Sequence, residues 1–191
     1  MLTADEIARG TRGALKYLQF DTSASSHFDN SREACLRSFR VMALVAPVYA
    51  LGLLIRYSQI RVAADGFDIA FVETLRFVVD WLLYPVLFFE IARRRDWLAR
   101  YPRYISALNW INLPAVVVLL VFEIVVVLAP VPVVVVLQIT LQGLFFFWFV
   151  VTTRLALGAD WGLAGVLMVV NWVPSFLLSI VVSRLLGIGS G

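Results

Sequence analysis

A chain of 191 residues is long enough for one domain, and at 61% hydrophobic and 15% charged residues, with a mean hydropathy of +0.88, it is too apolar for a soluble one. The net charge of +3 and pI near 9.3 would suit a nucleic-acid partner in a soluble protein. Here no basic groove interleaved with aromatics lies outside the flanks of the apolar runs, so the cations read as topology signals and partners of anionic lipid.

In chain order, Thr3-Ala-Asp-Glu6 has the spacing of a capping box at a helix start. Ile7, Ala14, Leu15 and Leu18 then fall on one face, with Arg9, Arg12 and Lys16 on another. This predicts a short basic amphipathic helix, lying on the membrane surface or packed on the protein's own cytoplasmic face. Gly10 and Gly13 weaken the helix. A Ser/Asp/Asn-rich linker, 21–31, follows and can cap the next helix.

Five apolar segments are then expected to span, at roughly 39–57, 69–92, 110–129, 131–153 and 161–183. Pro47 is expected to kink the first, and Ala129-Pro-Val-Pro132 forms a tight break between the third and fourth. Domain organisation is thus a cytoplasmic helix and linker over 1–37, a membrane domain over 38–186 and a tail, 187–191. The first span is expected to serve as its own insertion signal, because no cleavable signal precedes it.

Lys and Arg settle the expected orientation. With the amino terminus in the cytoplasm, twelve fall inside, three fall outside (Arg56, Arg61, Arg184), and Arg76 lies within span two. That bias places the amino terminus in and the carboxyl terminus out. If 69–92 did not cross, the Arg93–Arg103 cluster would sit on the opposite side from the basic amino-terminal region. The use of fifteen Arg against one Lys fits a GC-rich bacterial genome, and so an inner-membrane location.

Within span two, Glu73, Arg76 and Asp80 recur at i, i+3 and i+7, one helix face with a cation between two carboxylates. Charges in hydrocarbon are costly unless paired, so this face must look into the bundle. At 1.5 Å per residue, Arg76, Glu123 and Gln138 all lie on the order of 10 Å below the outer surface, with Gln142, Asn171 and Asp80 deeper. Fully ionised, three carboxylates and one guanidinium carry minus two, so one carboxyl, Glu123 foremost, is expected to be protonated or to hold a cation. The cluster reads either as a proton or cation site or as an interhelical network that fixes helix order.

Glu90 with Arg93 and Arg94 makes a helix-end ion pair. The run Arg93, Arg94, Arg95, Trp97, Arg100, Tyr101, Arg103 and Tyr104 mixes guanidinium groups with rings at the inner interface. It reads as a pocket for an anionic lipid headgroup or as an orientation anchor. Cys35 and His27 each stand alone, so no disulfide and no metal site is expected. No nucleophile elbow, phosphate-cradling glycine loop or His/Glu metal spacing occurs, so no catalytic residue and no cofactor is assigned.

Five closely spaced spans after a cytoplasmic region, with short outer loops, resemble the Yip domain family, membrane proteins named in eukaryotes for interaction with Rab-type GTPases. The resemblance covers Ser38 to Leu186 and rests on topology and size. The stretches Phe20-Asp-Thr-Ser, Phe28-Asp-Asn-Ser and Arg37-Ser-Phe are also similar to small membrane proteins of alphaproteobacteria. The absence of catalytic motifs and the abundance of small apolar faces fit a non-catalytic, Yip-like membrane scaffold or accessory subunit, with a membrane-protein partner or a second copy as its ligand. The intramembrane cluster implies instead a proton- or cation-coupled transporter or channel. The amphipathic helix with the Arg93–Tyr104 run implies a lipid-binding protein.

Overall fold

The computed structural model describes residues 2–188, so the expected tail lies outside the described residues from position 189 onward. Among the described residues the chain is all helical: α1 (Ala4–Leu18), a 3-10 turn (Thr22–His27), α2 (Arg32–Ser38), α3 (Val41–Gln59), α4 (Gly66–Arg94), α5 (Tyr101–Leu128), α6 (Val131–Leu157) and α7 (Trp161–Leu185). Four stretches are long and apolar enough to cross a membrane: α2 with α3 (Arg32–Gln59), α5, α6 and α7. The 29-residue α4 matches them in length and differs by carrying Glu73, Arg76 and Asp80.

Local chemistry sets the helix ends. The Thr3 hydroxyl accepts from the Glu6 amide at 3.2 Å and the Glu6 carboxylate accepts from the Thr3 amide at 2.8 Å, closing the capping box. Ser31, Asp65 and Asp160 cap α2, α4 and α7 through their side-chain oxygens. Pro130 stops α5 and Pro132 sits in the first turn of α6, where a missing N–H costs nothing. Gly158, at φ 69°, takes the left-handed position that ends α6. Pro47 lies inside a continuous α3.

The long helices form a ring. α3 packs on α5, α5 on α6, α6 on α7 and α7 on α4. Side chains close the ring between α4 and α3, where Tyr49 stacks on Phe77 at 5.0 Å. α4 runs the whole length of the bundle. At one end the Ala64 amide donates to the Leu186 carbonyl. At the other, the turn after α4 meets the amino-terminal region, where the Asn30 amide donates to the Ala99 carbonyl at 2.6 Å.

α1 and α2 are not a separate unit. Both pack on α5, and α1 also on α6, over the best-buried part of the core: Ala14, Tyr17, Phe88, Tyr104, Ile105, Val151 and Leu157. The glycines expected to weaken α1 are its contact face. A Cβ at Gly10 would come within 2.2 Å of the Trp110 ring, and one at Gly13 within 2.6 Å of His27. The docked face is Gly10, Gly13, Ala14 and Tyr17, while Leu15, from the expected apolar face, is 42% exposed. Ile7, Ala14 and Leu18 of the expected apolar face do pack on the core, and the two glycines let the helix approach closely beside them.

α5 begins at Tyr101, nine residues ahead of the expected start at 110. Pro102 fits its first turn, and the following side chains, Tyr104 to Ala107, are buried. Elsewhere the bundle's exterior is apolar: Leu54, Phe67, Leu128, Val131, Ile139 and Leu185 are each more than two-thirds exposed.

Candidate functional site

α4 turns its charges inward. Between Ile69 and Phe89 its exposed positions are Ala70, Phe71, Thr74, Leu75, Leu82, Val86, Leu87 and Phe89, none of them charged. The 3.6-residue period puts Glu73, Arg76 and Asp80 on the other face, where Arg76 bridges them: Nη1 lies 3.5 Å from Glu73 and Nε 3.6 Å from Asp80. Glu73 is 2% exposed and doubly satisfied from α3, accepting from the Tyr57 hydroxyl at 2.6 Å and the Tyr49 hydroxyl at 3.0 Å. These two tyrosines escape the sequence reading, because nothing in spacing shows that α3 presents them to α4.

Glu123 does not join this group. It is held by Arg56 at the end of α3, whose Nε donates at 3.0 Å and whose Nη2 donates to the same oxygen. Arg56, counted above as an outer-loop cation, is therefore a second guanidinium inside the polar set. The excess of carboxylates over guanidinium groups falls to one, and Glu123 has an ionic partner in place of the expected proton or cation. Rise along one helix carries no information about a long side chain reaching across from its neighbour.

The remaining charge sits beside a cavity. A space of about 340 Å³ lies between α4, α5, α6 and α7. It brings together Asp80, Gln142 and Asn171 from the expected cluster, adding Asn109, Asn112 and Ser175. Gln138 is exposed on the outside of α6 and takes part in neither group. Asp80 Oδ1 is buried without a hydrogen bond, as are Arg76 Nε and Trp81 Nε1; Ser175 approaches the same carboxylate without closing a bond on Oδ1. Aromatic rings complete the wall, among them Trp81, Tyr84, Phe146 and Trp172.

Below the cavity the rings expected at a lipid interface form a plug. Tyr104 is fully buried, and its hydroxyl meets those of Tyr84 at 2.7 Å and Thr153 at 2.8 Å. The Tyr101 hydroxyl donates to the Pro85 carbonyl at 3.0 Å, while its ring and that of Trp97 stack on Phe88. Arg100 donates to the Leu157 carbonyl and so satisfies the end of α6. Arg103 keeps a buried Nε without a partner. Only Arg93, Arg94 and Arg95 of the expected headgroup set are exposed with no core contact, and the first two hold Glu90 at 2.9 and 2.7 Å. The difference has one cause. Residues 95–104 make a tight turn and re-enter the bundle instead of lying along its face.

Outside the long helices, burial pushes the Tyr17 hydroxyl up to about 12. The Ser23 hydroxyl and amide, then Lys16, bring Asp21 down to about 2. The Thr3 amide, with Arg37, holds Glu6 below the usual carboxylate range. Among the described residues no group of three His, Cys, Asp or Glu is placed to hold a metal. No family model matches the chain, and no curated protein or solved structure matches it either.

Proposed function

We propose that this is a five-span membrane protein of the bacterial inner membrane, amino terminus inside, which receives a small solute within its bundle as a cation-coupled carrier or channel does. One observation carries the reading: a cavity between four helices, walled by amides and rings, with the carboxylate of Asp80 at its edge. The uncharged outer face of α4 supports its counting as the fifth span, as does its run from Ala64 beside Leu186 to the turn beside Asn30. The hydrogen bonds that join Asn30 to that turn support both basic segments lying on one side, in keeping with the positive-inside bias. On that side α1 presents exposed Arg9 and Arg12 to headgroups.

Charge movement in proteoliposomes tests it. Adsorbed on a solid-supported electrode and challenged with proton steps and a panel of small solutes, the protein is expected to give solute-dependent transients that Asp80→Asn removes. Wild-type protein without transients for any solute would sink the carrier reading.

A second reading has its own observation. α3 and α4 diverge around an apolar groove of about 570 Å³, walled by small residues such as Ala46, Ala50 and Ala70. Small residues admit close approach of another helix, which supports a Yip-like scaffold or accessory subunit, and an acyl chain there supports a lipid-organising role. Extraction in polymer nanodiscs followed by mass spectrometry separates them: a stoichiometric protein favours the scaffold, a retained lipid the other.

A further inference from the structure

We infer that the solute taken by the α4–α7 cavity is a small organic monocation, an ammonium carried on an apolar or aromatic body. This rests on the carrier reading of the same cavity and names its substrate class. Among the described residues lining the cavity, Asp80 alone is charged. Behind it the triad Glu73–Arg76–Asp80 holds two carboxylates and one guanidinium, a deficit of one positive charge. Arg76 stands almost equally far from the two, at 3.5 Å from Glu73 and 3.6 Å from Asp80, but Glu73 also accepts from Tyr49 and Tyr57 while Asp80 Oδ1 accepts no hydrogen bond, so the deficit falls on Asp80. An unmatched carboxylate in a low-dielectric bundle favours one monovalent cation.

The walls decide between an organic and an inorganic one. A bare metal ion needs six or so oxygens at about 2.0–2.6 Å. The lining has one carboxylate; its other side-chain oxygens are neutral, on Asn109, Asn112, Gln142, Asn171, Ser175 and Tyr84. Among the described residues no three acidic, thiol or imidazole groups gather to hold a metal, while the rings of Trp81, Tyr84, Phe146 and Trp172 share the same space of about 340 Å³. Ring faces do attract an alkylammonium, and most strongly where water is excluded. An anion would meet Asp80 first, because Arg76 does not line the space. Gln142 and Asn171 leave amide groups for a second polar group on the ligand.

The test uses the full chain in lipid nanodiscs, with empty nanodiscs as the partition control. Benzylamine, benzyltrimethylammonium, neutral benzyl alcohol and benzoate are titrated at neutral pH, followed by tryptophan fluorescence and calorimetry. Saturable binding of the two cations, at least tenfold tighter than alcohol or benzoate, is expected. Asp80→Asn should erase that preference, and Asp80→Glu, which keeps the charge if the asparagine variant misfolds, should retain it. Tighter binding of the alcohol or benzoate overturns the cation assignment and leaves the cavity as a solute site. A folded Asp80→Asn that binds the cations as wild type does overturns the assignment in the same way. Failure of all four probes, with protons alone moving charge on the electrode, overturns the organic class in favour of a proton site. Failure of the probes together with electrically silent protein overturns both readings.

Discussion

Arg56 and Glu123 meet across α3 and α5 near one end of the bundle, with Glu123 at 6% exposure and the Arg56 side chain at 44%. Arg56→Ala leaves the buried Glu123 carboxylate without its partner; because the guanidinium it loses is partly exposed and so already screened, the cost is expected to be ~1–2 kcal/mol rather than the larger penalty of a fully buried pair. Thermal unfolding in nanodiscs should show the loss, and adding Glu123→Gln should recover part of it. No recovery in the double variant would mean that the pair is not what Arg56 contributes. Glu73 differs, since its partners from α3 are neutral hydroxyls. Tyr57→Phe strips one donor from a buried carboxylate and is expected to destabilise by about 1–3 kcal/mol. Tyr57→His or Tyr57→Gln, which restore a donor, should do less damage in the same assay.

At the scale of elements, α1 is held by close approach. Gly10→Val places carbon where the Trp110 ring already stands, at 2.2 Å for Cβ alone, so overpacking of about 1–3 kcal/mol is expected to undock the helix. Limited proteolysis in the linker at 21–31 should accelerate while the long helices stay resistant. An unchanged cleavage rate would refute the docked face. The same docking should weaken in acid. Glu6 and Asp21 both titrate lower in the folded chain, Asp21 at about 2, so their contribution is complete above the ordinary carboxylate range. It is lost as pH falls from about 4 towards 2. Linker cleavage by an acid-tolerant protease should rise across that window, and a rise confined to higher pH would point to another group. No such acid dependence is expected of the plug, where Tyr84, Tyr104 and Thr153 exchange hydrogen bonds among hydroxyls.

For the whole molecule, the question is whether α4 crosses. Its outer face is uncharged, and its two ends touch Leu186 and Asn30 through their loops, at opposite ends of the bundle. In a Cys35→Ser background, a cysteine at Ala63 is expected to react with a membrane-impermeant maleimide from outside intact cells. One at Arg95 is expected to react only after lysis. Labelling of both from the same side would remove α4 from the spans and reverse α5, α6 and α7. Accessibility of a cysteine replacing Asn171, with and without benzylamine, reports in the same experiment on whether the cavity is reached by solutes.

Sequence alone determined the class of object. Unbroken apolar runs of helical length, punctuated by Pro130, Pro132 and Gly158, leave a chain that buries its backbone polar groups only as helices, and the inward face of Glu73, Arg76 and Asp80 follows from a 3.6-residue period. Depth counting also brought Asp80, Gln142 and Asn171 to a common region, because rise per residue is fixed. What it could not supply was the extent of the cavity and the reach of side chains. Gln138 and Gln142 share one face of α6 and both are exposed, yet only Gln142 borders the cavity, whose α6 wall runs from Gln142 to Phe149 and is set by where α5 and α7 pack against it. Tyr49, Tyr57 and Arg56 became partners of Glu73 and Glu123 only when α3 was placed between α4 and α5. Pairings between helices depend on side chains several ångströms long crossing from elements that the sequence holds far apart, and helical periodicity within one segment carries no information about them.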